Sequence, residues 1–171
     1  MSGKSCFFIG HREASEEIFP ALYAAVEQHI VEYGVTEFIV GYYGGFDRLA
    51  ASAVKEAKRF YPEVKLTLLL PYHPAERLIP TPDGFDSTFY PPGMESVPRE
   101  VAIVRANRYV VDHVDYLIAY AWHPVCLAPC QQCTGAGGIC SEETTEKRHP
   151  NNRIDTSCYI IQYAIWLEVA S

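Results

Sequence analysis

Three groups of residues have the types and spacing to do chemistry. Gly10, His11 and Arg12 directly follow an apolar run at residues 5–9 (SCFFI). A glycine there lets a ligand approach the backbone, and the planar fork of an arginine suits a phosphate or a carboxylate. The plain alternative is a turn that carries an exposed arginine. Gly44, Gly45, Phe46 and Asp47 join a second apolar run, residues 36–40 (TEFIV), to a helical segment. Free N–H groups at a helix N-terminus suit an anion. Asp47 can cap that helix or accept hydrogen bonds from a ribose, and the two roles are compatible. The catalytic residues are unknown at this stage; Asp47 is the one to name if there is any. Arg105, Asn107 and Arg108 form the third group, in which Arg105 and Arg108 share a helix face as a ligand contact or as a solvated patch. His11, His73 and His123 each follow a strand-like run, but no His pair or carboxylate stands at ligand spacing. No metal is therefore expected.

These residues need elements to hold them. The run at 5–9 reads as a buried strand. Residues 15–33 read as a helix with Ser15 as its cap, because Ile18, Leu22, Val26 and Ile30 recur every four positions. Gly34 supplies the stop. Residues 36–40 are a second strand, and a helix runs from Asp47 to about Tyr61. Residues 64–70 (VKLTLLL) are a third strand, closed by Pro71. Residues 71–98 hold most of the prolines and have no period; such a long connection usually covers a site. A helix over 99–113 and a fourth strand over 114–120 (VDYLIAY) follow. Near-continuous apolar strands alternating with helices predict an α/β fold, a Rossmann-like three-layer parallel sheet with four recognisable strands. Such sheets bind ligands beyond the carboxyl ends of their strands. The ligand loops are then 10–12, 41–47, the segment after Pro71, and whatever follows Tyr120.

Composition narrows the classes. A net charge of -7 with no basic run disfavours DNA or RNA as a partner. No apolar stretch approaches the roughly 20 residues that span a bilayer, and the N-terminus lacks the layout of a signal peptide. The expected address is the cytoplasm, with no membrane partner, and homo-oligomerisation is left open.

In combination, strand-GHR, strand-x-GGFD-helix, strand-LP and an Arg-Asn-Arg-Tyr-Val-Val-Asp helix leading to a strand resemble the SLOG superfamily of SMF/DprA and Lonely Guy proteins. The nearest branch is the YspA-like family of unknown function. The resemblance runs from about Lys4 to Pro124. It implies a domain, residues 1–125, that binds a nucleotide or a derivative such as ADP-ribose or an NAD-like molecule, as sensor or carrier. Carried over, Gly10, His11, Arg12, Gly44, Gly45, Phe46, Asp47, Pro71, Arg105 and Asn107 would line the site. The Lonely Guy branch cleaves a nucleoside monophosphate with a PGGxGTxxE motif, and that motif is absent, since GAGG at 135–138 runs into Ile139 and Cys140. A nucleotide-processing hydrolase acting on an N-glycosidic or phosphoester bond is the second reading, and a DprA-like DNA-handling protein a third. No cofactor is implied.

Residues 126–171 depart from that design. Five of the six cysteines (Cys126, Cys130, Cys133, Cys140 and Cys158) fall there, and residues 126–152 have neither helical nor strand period. A one-base shift with permitted codon bases turns the segment into AWHPASNARELVEYARRRQQKSGIRITGL, an amphipathic helix, a Gly and a short strand. This is the pair of elements the fold should have next. The shifted frame also repeats the AWHP of residues 121–124, as a short tandem duplication would produce. On this reading the tail is out of frame and poorly ordered, and its cysteines are no zinc site. The edge of the fourth strand would lie open, with residues 157–169 (SCYIIQYAIWLEV) apolar enough to cover it or to aggregate.

Overall fold

A computed structural model describes residues 3–121 and 159–164. The chain builds β1 (Lys4–Gly10), a 3-10 turn (Glu16–Ile18), α1 (Phe19–Val31), β2 (Val35–Val40) and α2 (Gly45–Ala57). These lead into β3 (Lys65–Leu69), β4 (Ser87–Phe89), α3 (Arg99–Val111), β5 (Tyr116–Ala121) and β6 (Tyr159–Ala164). The sheet order is β4-β3-β2-β1-β5-β6, and β1 to β5 are all parallel. This is the α/β, Rossmann-like layered fold that the alternation of strands and helices predicts. No helix among the described residues is long and apolar enough to cross a membrane.

Two apolar cores explain the layers. Side chains alternate across a strand, so Cys6, Phe8, Phe38 and Leu66 face α1 and α2, where they meet Leu22, Val26, Ala50 and Val54. Phe7, Ile39 and Leu69 face the other way and pack with Ala102, Ala106 and Val110 of α3. The path from β1 to β3 steps outward with its helices on one face. The return through α3 to β5 lands on the far side of β1, using the opposite face. Winding therefore reverses between β1 and β5, the kind of crevice in which parallel sheets hold ligands.

Three local differences from the sequence reading have physical causes. Ser15 does cap a helical turn, accepting from the Glu17 N–H at 3.3 Å, but that turn is 3-10, and α1 proper begins at Phe19 with Pro20 in its first turn. A proline fits the first turn of a helix, where its missing N–H costs nothing. The proline-rich connection contains β4, three residues long and too short to show a period. The tail was expected to be irregular, yet Tyr159–Ala164 forms a strand next to β5 in the sheet order. The edge of the fourth predicted strand, β5, is therefore taken, by the apolar segment that had the composition to do it. Residues 122–158 and 165–171, with four of the tail cysteines at 126–140, the fifth at 158, and His123, lie outside the described residues.

Candidate functional site

Two loops at the carboxyl ends of β1 and β2 are stitched together by backbone. The Gly45 N–H donates to the Arg12 carbonyl at 2.6 Å, and the Arg12 Nε donates to the Tyr43 carbonyl at 3.4 Å. The approach is close enough to require glycine, since a Cβ on Gly45 would lie 2.9 Å from the Arg12 carbonyl oxygen. A Cβ on Gly10 would stand within 3.0 Å of three ring atoms of Phe46. Phe46 is itself wholly buried, stacked on Tyr120 at 5.4 Å between centroids. Gly10 thus lets the first turn of α2 lie against β1.

Asp47 organises that turn. Its Oδ2 accepts from the N–H groups of Tyr43 (3.0 Å) and Gly44 (3.1 Å), closing the N-terminus of α2 from the third helical position. Burial pushes its carboxyl above the usual carboxylate range, and the two N–H donors only partly oppose this. The N–H groups of Gly44 and Gly45, which the sequence offered to an anion, are therefore spent on Asp47 and Arg12. The turn presents negative charge where a phosphate loop presents bare N–H groups.

A cavity of about 280 Å³ opens above these loops, on the α3 side of the sheet. It gathers Gly10, Arg12, Gly44, Asp47, Pro71 and Asn107 from four separate segments. The other four predicted residues do not line it. His11 sets its ring edge-on to Tyr120, Gly45 makes the loop stitch, and Phe46 is core. Arg105 is exposed on α3. Two helical residues are about 200° apart, so Asn107 and Arg105 cannot serve one face. Arg108 is exposed as well, and no group of three His, Cys, Asp or Glu among the described residues could hold a metal ion.

Tyr43 and Ile103 are lining residues that sequence reasoning did not single out. The Tyr43 hydroxyl oxygen is buried without a hydrogen-bond partner, and burial raises its phenol pKa against the opposing pull of Arg77. The Arg77 guanidinium stands 5.7 Å from the centroid of the same ring. Ile103 could have been found from its place one turn before Asn107. Tyr43 carried no signal beyond lying in the glycine-bearing turn. The cavity thus has a half-buried carboxylate and a phenol at its wall and an arginine at its rim. Comparison with protein-family models and with curated proteins finds no match to this chain.

Proposed function

We propose that this domain binds a nucleotide or nucleotide-derived ligand, such as ADP-ribose, an NAD-like molecule or a nucleoside phosphate, and acts as a sensor or carrier of the SLOG type. The observation that carries the reading is the convergence of Asp47, Arg12 and Asn107 on one cavity at the carboxyl edge of a parallel sheet. Each group suits a part of such a ligand. The free oxygen of Asp47 accepts from ribose hydroxyls, Arg12 at the rim pairs with a phosphate, and Tyr43 can donate from a buried hydroxyl. A volume of about 280 Å³ holds one nucleoside-sized group, with any further phosphate or sugar lying over the rim.

A thermal-shift screen of the chain against ADP-ribose, NAD and nucleoside monophosphates tests this. A ligand at about a hundred times its Kd adds roughly 2.7 kcal/mol, which raises the melting temperature visibly. Arg12→Ala should remove the shift for phosphorylated ligands and keep a weaker one for the bare nucleoside. A cooperative melt that no nucleotide moves would sink the reading.

One observation favours a second reading, the hydrolase. A carboxyl with a raised pKa in a cavity is suited to carry or take a proton. Turnover of a bound nucleotide that stops in Asp47→Asn while binding persists would establish it; stoichiometric binding without product would retire it. DNA binding that weakens steeply with salt would instead favour the DprA-like reading, against a net charge of -7.

A further inference from the structure

The α3 side of the sheet carries a second cavity, of about 310 Å³, that shares no lining residue with the first. It lies where the strands begin and α3 ends. Ser5, Glu37, Thr67 and Ser87 stand two residues before Phe7, Ile39, Leu69 and Phe89, so strand alternation puts them on the same face. Four adjacent strands thus lay a polar row beside the apolar row that packs with α3.

The directions of the hydrogen bonds in this row can be worked out. An ionised Glu37 can only accept. Thr67 Oγ1 lies 3.0 Å from Glu37 Oε1 and therefore spends its one proton there. Ser87 Oγ lies 2.9 Å from Thr67 Oγ1 and must donate in turn. Ser5 Oγ donates to Asp115 Oδ2 at 3.2 Å. His113 Nδ1 lies 2.6 Å from the Tyr109 carbonyl, so Nδ1 carries a proton and spends it there. Every hydroxyl proton in the row is consumed, and what remains is lone pairs. The cavity also borders the last turn of α3, the negative end of the helix dipole. Among the described residues no lysine or arginine pairs with Glu37.

A strand row left with only lone pairs, around a carboxylate that has no ion pair among the described residues, calls for a ligand rich in donors and positive charge, and the Thr88 and Tyr109 hydroxyls beside it can still accept. We propose that this cavity binds a small organic cation, an alkylammonium or guanidinium group, with Glu37 as its counter-ion. The Phe89 and Tyr109 rings border the same space and provide an apolar and π-rich wall for the cation and its alkyl chain.

Isothermal titration of the full chain with butylamine, agmatine and uncharged 1-butanol tests the assignment. Both amines should bind and butanol should not. Glu37→Gln, which keeps shape and removes charge, should weaken amine binding by roughly tenfold or more, the worth of a charged hydrogen bond. Ser87→Ala, on the exposed edge strand, should weaken it a few-fold, and it decides the matter if Glu37→Gln fails to melt cooperatively. Arg12→Ala, in the other cavity, should leave it unchanged. Equal binding of butylamine and butanol would mean a merely apolar hollow. That result, an absence of amine binding, or amine affinity untouched by the variants would each overturn the proposal.

Discussion

At the scale of single residues, Asp47 does two jobs that substitution can separate. Asparagine keeps an oxygen to accept from the Tyr43 and Gly44 N–H groups, so Asp47→Asn should change stability by less than about 1 kcal/mol. Alanine leaves both donors without a partner, and Asp47→Ala should cost about 1–2 kcal/mol in urea unfolding. The comparison also reads the charge. Because burial holds the carboxyl of Asp47 above its ordinary value, the folded state binds its proton more tightly than the unfolded state does. Stability from this group therefore falls as pH rises from the ordinary carboxylate value through the raised one, and Asp47→Asn should flatten that part of the pH profile. Gly10 is sensitive for a steric reason. Gly10→Ala forces the Phe46 ring out of a filled core and should destabilise by about 1–3 kcal/mol.

Among elements, the tie between β3 and the segment entering β4 rests on Asp86. Its Oδ2 accepts from the Leu66 N–H at 2.7 Å and from Lys58 at the end of α2. Burial alone would raise this carboxyl, but the Leu66 N–H and the Lys58 ammonium outweigh it and hold it below its ordinary value. Its contribution is thus present above the unfolded value and lost as pH falls through the lowered one. Asp86→Ala should reduce stability by about 1–2 kcal/mol at neutral pH, measured by urea midpoint, and by less in acid. At this scale the sequence was most readable. Strong apolar runs such as SCFFI and VKLTLLL mark buried strands whatever their neighbours, and the loops after them had to be the candidate site. β4 was illegible because three residues carry no period, and its pairing with β3 is a tertiary fact. The roles within GGFD were half legible. Asp47 capping follows from local spacing, but Phe46 turning into the core under Gly10 depends on where β1 runs. That Arg105 stays outside the cavity has a reason available beforehand, the angle that separates it from Asn107.

For the molecule as a whole, His29 adds to the loss of stability on the acid side. It is buried on α1 with Nδ1 2.7 Å from the Ala25 carbonyl, edge-on to the stacked rings of Tyr33 and Tyr116. Burial lowers its pKa, with the Ala25 carbonyl and Glu32 opposing. The unfolded chain then takes up a proton that the folded one refuses. Stability should be full above about pH 6.5 and decline as pH drops from there toward the lowered value. A series of urea midpoints from neutral to mildly acid pH checks this, and His29→Gln should flatten the slope. The reading of residues 126–171 as out of frame belongs to the gene, and sequencing it provides the test. A direct repeat across the Tyr120–Pro129 codons is expected, and an unrepeated stretch there would dismiss the duplication.

The brevity of β4 bears on how copies of this chain could join. A free strand edge is a template on which another chain can lay a strand, and a long flat one invites open-ended growth. On this flank the template is three residues, Ser87 to Phe89, and Pro91 and Pro92 follow almost at once with no N–H to lend. Proline chemistry thus limits extension of the sheet from that side. Among the described residues, this flank therefore offers an added strand little backbone to pair with.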